Sequence, residues 1–312
     1  KQGYAGQVTE QFVESIFSAS SFNECYKSVV VWLYFGGKNV FIQDANSLTM
    51  KPGDFISALT YLKEAFPTIE RVTSYARSRT IAKRLSVEDL KAMKEAGLTR
   101  LHIGLESGND FLLTYMNKGV TKDGHIESGR KVKKSGIELS EYVVLGMGGR
   151  KWWKEHVDDT SDVLNAINPD FIRFRTLKVT KDMPLFEKVE SGDFVISSEE
   201  EIIKEERSLI ERLNGITSYI KSDHILNLLE EIEGKLPEDK EKMLRIIDDF
   251  TSLGDEQRLT FRFGRRAGIY RRLNDLNDEL TYFKIRKQIR EMEQKEPGSV
   301  EKTLSLLLEN YI

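Results

Sequence analysis

Thr99–Asp110 reads TRLHIGLESGND. Leu101, Ile103 and Leu105 alternate as the buried face of a β-strand does. Glu106 then arrives with Ser107 and Gly108 behind it, so an apolar strand runs into a carboxylate and a glycine turn. A charge at that place is either solvated in a loop or set to hold something. What stands on either side of the stretch decides between these.

Upstream, SVEDLKAMKEAG has Ser86 as a helix N-cap, Asp89 at the capping-box position and Gly97 as the C-terminal stop. Downstream, TKDGHIESGRKVKKSG opens on a cap and ends at Gly136. KPGDFISALTYLKEAF places Pro52 near its start, with Phe55, Ile56, Leu59 and Leu62 on one helical face. Strand-like stretches alternate with these helices: Asn39–Ala45, Arg71–Ala76, Arg100–Ser107, Leu139–Gly146 and Phe171–Leu177, with a weaker sixth at Ile216–Ser222. Their spacing, about 30 to 45 residues, is that of repeated βα units with right-handed crossovers. The fold class is therefore α/β with a parallel sheet, open and doubly wound or curled into a barrel.

Helical sequence alone precedes the first visible strand, in VTEQFVESIFSASS and FNECYKSVVVWLYFGG. A barrel opens on a strand, so a first strand and its loop are expected upstream of Lys1. After Asp223 the pattern changes to charged, strandless, helical sequence that continues to Ile312. The expected division is a barrel over 1–223 and a helical extension over 224–312, with the charge runs as solvated helix faces.

Bulk properties narrow the function. The 312 residues are 39% hydrophobic and 31% charged, with a net charge of −3, which leaves no global basic footprint for nucleic acid. The longest apolar run, Val29–Phe35, is far too short to span a bilayer, and no signal sequence opens the chain. The expectation is a soluble, cytoplasmic protein with no membrane partner. Cys25 is the single cysteine, which excludes a disulfide framework and an all-cysteine metal site within these residues. It is expected as a small buried residue. His102 is expected as a satisfied interior histidine, and His125 and His156 as surface residues of helices.

In parallel α/β proteins, function collects at the C-terminal ends of the strands. Those ends carry Gln43-Asp44-Ala45-Asn46-Ser47, Ser74-Tyr75-Ala76-Arg77, Glu106-Ser107-Gly108, Gly146-Met147-Gly148-Gly149 and Arg173 to Thr176. A Glu, an Asp, arginines and a glycine cluster on one rim favour a ligand site. The glycines permit close approach by a flat ring or a phosphate, although VVLGMGGR matches neither a dinucleotide fingerprint nor a P-loop. Asp223 and His224 close the sixth strand, with Asn227 beyond. They read either as a proton-transfer pair or as a helix cap beside a packed histidine.

In order, VFIQDANSL, VTSYAR, LTRLHIGLESGND…LTYMNKGVT, HIESGRKVKKSGIELSEYVVLGMGG and NPDFIRFRTL resemble the successive strands of radical S-adenosylmethionine (radical SAM) enzymes. The nearest branch holds the Elongator catalytic subunit and oxygen-independent coproporphyrinogen oxidase. The resemblance runs from Val8 to Ser222. It implies a partial (β/α)6 barrel of the TIM type, SAM and a [4Fe–4S] cluster as cofactors, and an anaerobic reaction served by a reductant such as flavodoxin or ferredoxin. By position, Gln43, Asp44 and Asn46 meet the SAM amino group, with Asp44 and Asn46 in place of a Gly-Gly-Glu. Ser74 and Arg77 face the SAM carboxylate, and Glu106 with Ser107 meets its polar groups, the ribose hydroxyls foremost. Gly146, Met147, Gly148 and Gly149 lie beside the adenine, while Asp223, His224 and Tyr219 face the substrate.

One departure stands out. The family's C-x-x-x-C-x-x-C loop, which binds three irons of the cluster, is absent from these residues, and cysteine ligation is required for that chemistry. In the family the loop follows the first strand, so its cysteines are expected upstream of residue 1. The expected activity is cleavage of SAM to a 5′-deoxyadenosyl radical that abstracts hydrogen from an unidentified substrate. Two other readings stand beside it: a degenerate SAM-binding barrel without redox chemistry, and an ordinary barrel hydrolase or isomerase.

Overall fold

A computed structural model describes residues 8–19 and 23–309; the part of the expected N-terminal helices at 20–22 lies outside them. The strands are β1 (Asn39–Ile42), β2 (Arg71–Ala76), β3 (Arg100–Glu106), β4 (Glu138–Leu145), β5 (Phe171–Thr176), β6 (Tyr219–Lys221) and β7 (Glu233–Lys235). They form one sheet in chain order. Helices α1 (Glu10–Ser18) and α2 (Glu24–Tyr34) precede it, and α3 (Pro52–Ala65), α4 (Ser78–Arg84) and α5 (Val87–Glu95) join the first three strands. Then come α6 (Asp110–Tyr115), α7 (Lys122–Ser135), α8 (Gly149–Ile167), α9 (Pro184–Glu190) and α10 (Glu199–Arg212). The chain closes with α11 (Lys240–Ser252), α12 (Asp255–Arg266), α13 (Glu279–Lys295) and α14 (Ser299–Glu309). Strand order that never reverses is the mark of βα units stepping one way, unlike a doubly wound sheet, whose order reverses at a switch point. None of the described helices is long and apolar enough to cross a membrane.

The chain divides into two compact units: one runs to Gly104 and includes Glu127–Ser140, the other comprises Leu105–Ile126 and Glu141 onward. In the first, β1 pairs parallel with β2 and β2 with β3, in registers Ile42↔Ser74 and Ala76↔Ile103. Val72, Leu101 and Ile103 are fully buried with Leu90 and Met93 of α5. The local signals hold. Ser86 Oγ accepts the Asp89 N–H at 3.0 Å and Asp89 answers at the Ser86 N–H at 2.9 Å, Pro52 starts α3, and Gly97 turns the chain at φ +120°. Cys25, expected buried, is exposed on α2, because that helix buries only Val30 and Leu33.

In the second unit, β5 pairs parallel with β6 and β6 antiparallel with β7. That seventh strand corrects the expectation of strandless sequence after Asp223. Residues 224–232 are turns rather than helix. Asn227 causes this: its Nδ2 donates to Ser222 Oγ at 2.9 Å and to the Phe174 carbonyl at 3.1 Å, folding the segment back on the sheet. Gly234 then passes so near Asp239 that a Cβ would meet its side chain at 2.4 Å. Helix α10 packs on α8 and α11.

Candidate functional site

The end of β1 and the end of β2 leave the first unit side by side, because Ile42 is in register with Ser74. Two of the expected SAM contacts there are internal struts. Ser74 is fully buried and its hydroxyl donates to Ser47 Oγ at 2.9 Å. Asn46 accepts the Arg77 backbone N–H at 3.1 Å and donates to Thr80 Oγ1 at 2.8 Å, tying the two strand-end loops together. Gln43, Asp44 and Arg77 remain exposed. A carboxylate and a guanidinium at adjacent strand ends are the complement of a zwitterionic amino-acid tail.

In the second unit, β3 ends in a left-handed residue. Glu106 adopts φ +59°, a conformation a non-glycine residue enters at a cost. Its carboxylate pairs with Lys118 of the NKG stretch. Ser107, expected beside SAM, is fully buried instead. Its hydroxyl lies 2.8 Å from His156 Nδ1 and accepts the Asn109 N–H at 3.1 Å. The Gly108 N–H donates to Thr160 Oγ1 at 2.9 Å. A Cβ at Gly108 would sit 2.3 Å from the Asp159 carbonyl, so only glycine lets the turn press against α8. Asn109 Nδ2 donates to Asp159 Oδ2 at 2.6 Å, and Lys122 bridges Asp159 and Asp162 at 2.7 and 2.8 Å. The ESGND turn is thus clamped to one helix.

The glycine cluster has a different use from the one expected. Cβ atoms at Gly148 and Gly149 would each meet protein backbone at 2.6 Å, at the carbonyls of Trp152 and Val195 respectively. Met147 is 2% exposed. At Gly148 and Gly149 the close approach is made by the chain itself. The Gly146 N–H donates to Glu205 Oε1 at 2.7 Å.

Glu205 and His156 escaped the sequence reading. His156 is wholly buried on α8 rather than exposed, and His125 on α7 is likewise buried. In both cases the imidazole faces inward with the apolar side of its helix, and burial pushes each down to about 4. Burial pushes Glu205 up to about 8. Burial thus disfavours charge on both partners of the 3.5 Å contact between His156 Nε2 and Glu205 Oε1. A polar pair four residues apart, His156 and Thr160, among Val157, Val163 and Leu164 was the available signal.

Asp223 and His224 do close β6, but no helix follows for Asp223 to cap. Its carboxylate lies 3.6 Å from Arg173 and 3.7 Å from Arg175. His224 is held below its usual range by burial and then by the Arg175 charge. Tyr219 stands at the opposite end of β6, aligned with the first residue of β5. Its hydroxyl donates to Glu233 Oε1 at 2.5 Å, which raises it to about 12 and commits it to β7 rather than to a substrate at the strand's C-terminal end.

The family model of the radical SAM superfamily matches residues 28–163. Residues 28–163 are thus similar to the radical SAM superfamily. Biotin synthase of Clostridium botulinum strain Hall is 33% identical over 123 residues, which are 38% of this chain and 35% of that protein. The tRNA uridine(34) acetyltransferase of Methanocaldococcus jannaschii is 24% identical over 141 residues, 43% of this chain and 23% of that protein. The chain thus spans about a third or less of the length of these curated relatives. Among solved structures, Methanocaldococcus infernus Elp3 with an N-terminal deletion is similar at 18% identity, covering 60% of this chain and 48% of that one, with a TM-score of 0.47. Methylornithine synthase follows at 15% identity over 69% and 75%, with a TM-score of 0.41.

SAM and a [4Fe–4S] cluster are the cofactors of the radical SAM superfamily. Asp44 and Arg77, exposed within the matched residues, fit the ammonium and carboxylate of SAM by their chemistry. The cluster does not fit these residues. Its thiolate ligands cannot come from one exposed cysteine, and no group of three metal-ligating side chains occurs among the described residues.

Proposed function

We propose that the protein is a radical SAM enzyme, in which SAM is consumed to draw a hydrogen atom from a substrate and a low-potential reductant such as flavodoxin or ferredoxin serves the reaction. The observation that carries this is the superfamily match over 28–163, which embraces Asp44, Arg77 and Glu106. The part assigned to these residues is to bind and orient SAM. Asp44 takes the ammonium, Arg77 takes the carboxylate, and Asn46 holds the Arg77 backbone in place. Glu106 meets a polar group of SAM, its carboxylate paired with Lys118. The cluster's three cysteines belong to no position in this sequence, and the work assigned to the chain does not depend on them.

Calorimetric titration of SAM into the 312-residue chain tests the reading. One SAM per chain is expected, with Asp44→Asn and Arg77→Met each weakening it about tenfold, the value of one charge-assisted contact. Unchanged affinity in both variants, or no binding to the parent chain, overturns it.

A further inference from the structure

The polar face of β5 carries a charge arrangement that SAM binding does not use. Ile172 and Phe174 are fully buried on one side of the strand. Arg173 and Arg175 alternate with them, their side chains 20% and 25% exposed. Arg175 lies over the ring of Tyr142 at 4.5 Å, and its Nη1 donates to the Phe174 carbonyl at 2.9 Å. The planar group is thereby fixed in orientation. Arg173 Nε is buried with no hydrogen-bond partner, as is His224 Nδ1.

Asp223 faces both arginines at 3.6 and 3.7 Å, distances of charge attraction beyond the 2.7–2.9 Å of a charge-assisted hydrogen bond. On β6, Lys221 is in register with Arg173 and pairs with Glu233 at 3.2 Å. Three cations thus stand against two carboxylates, and the Asp223 carboxylate is loosely held. Two oriented guanidiniums with donors to spare are a receptor for a planar or tetrahedral oxyanion.

We propose that Arg173 and Arg175 bind an oxyanion of the substrate, a carboxylate or a phosphate, with Asp223 as the counter-ion it displaces. That the anion belongs to a substrate rests on the enzyme reading above; the anion site does not. The buried donor on Arg173 gains its acceptor when the anion arrives. Asp223 offsets one of their two charges meanwhile, and its 41% exposed side chain can swing into water.

The test is titration of the chain with sodium phosphate and, separately, sodium succinate, at ionic strength held constant with chloride and read by thermal shift. A saturable response in about the millimolar range is expected for one of them, and which one responds tells phosphate from carboxylate. Arg173→Met and Arg175→Met are expected to weaken it at least tenfold, while Arg173→Lys retains part of it. Asp223→Asn, which removes the competitor, is expected to tighten it severalfold; a purely structural aspartate would give the opposite sign. SAM affinity is to be measured on the same samples and should stay within twofold in all four variants. No saturable response over chloride overturns the proposal. So does a parallel loss of SAM affinity in the arginine variants, since the arginines would then hold SAM's own carboxylate. A chain that binds anions but not SAM keeps the anion site and sinks the enzyme reading instead.

Discussion

Glu106 carries a backbone cost that its ion pair barely offsets. Its φ of +59° is worth about 1 kcal/mol of strain or more for a residue with a Cβ. Its ion pair with Lys118 is between side chains 31% and 36% exposed and returns about 0–1 kcal/mol. Glycine would remove the strain and lose only the weak pair. Glu106→Gly is therefore expected to leave thermal stability unchanged or raise it by up to about 1 kcal/mol, while SAM affinity falls about tenfold. Thermal unfolding and SAM titration on one preparation check this. A stability loss of several kcal/mol with unchanged affinity would make Glu106 a structural residue. Ser107, next in sequence, shows the converse: a serine that reads as a ligand contact is a buried strut beneath α8.

Among the elements, α10 carries an internal load that pH can read. Glu205 and Glu206 are each raised to about 8 by burial, and Glu141 on β4 is raised to about 8 in the same way. A carboxyl raised in the folded state adds stability fully below its unfolded value of 4.5 and loses it as pH rises through about 8. His125 and His156, lowered to about 4, do the reverse: their contribution is complete above 6.5 and is lost as pH falls toward 4. Between pH 6.5 and 8 the histidines are silent and only the carboxyls act. Stability is expected to fall across that window, by up to about 1.4 kcal/mol per pH unit for each group. Glu206→Gln, which can still accept the Ser222 hydroxyl bond, should flatten the fall and stabilise the chain increasingly toward pH 8. Denaturant unfolding at several pH values measures it; an identical slope in the variant would mean that Glu206 is ionised in the fold.

The elements also show what was legible. Helix starts and stops were, because a cap such as Ser86 with Asp89 or a turn such as Gly97 is settled within one turn of chain. The five main strands were, because their alternation is local. β7 was not: its course depends on Asn227 reaching back to Phe174 and on Gly234 fitting under Asp239, contacts that apolar spacing does not carry. The glycines after β4 announced a close approach, but not that Trp152 and Val195 make it. His156 and Glu205 were hidden because the inward face of a helix is chosen by what packs on it. At the strand ends, placement in the sequence is enough to put Asp44, Arg77 and Glu106 forward as candidates, while the commitment of Asn46, Ser74, Ser107 and Tyr219 to internal bonds was invisible without coordinates.

For the molecule as a whole, three facts have to be held together: parallel βα units in unreversed order, a match to the radical SAM superfamily over 28–163, and one exposed cysteine in 312 residues. The first two are the ground for proposing SAM at the strand ends. The third assigns the cluster's ligands to none of these residues. The account is tested most directly by the yield of 5′-deoxyadenosine from SAM, measured on the protein reconstituted anaerobically with iron and sulfide and given a reductant. It predicts 5′-deoxyadenosine at or above one equivalent, reduced at subsaturating SAM in Arg77→Met in step with its about tenfold weaker SAM binding. Intact SAM in a preparation that binds it and carries a full complement of iron would contradict it.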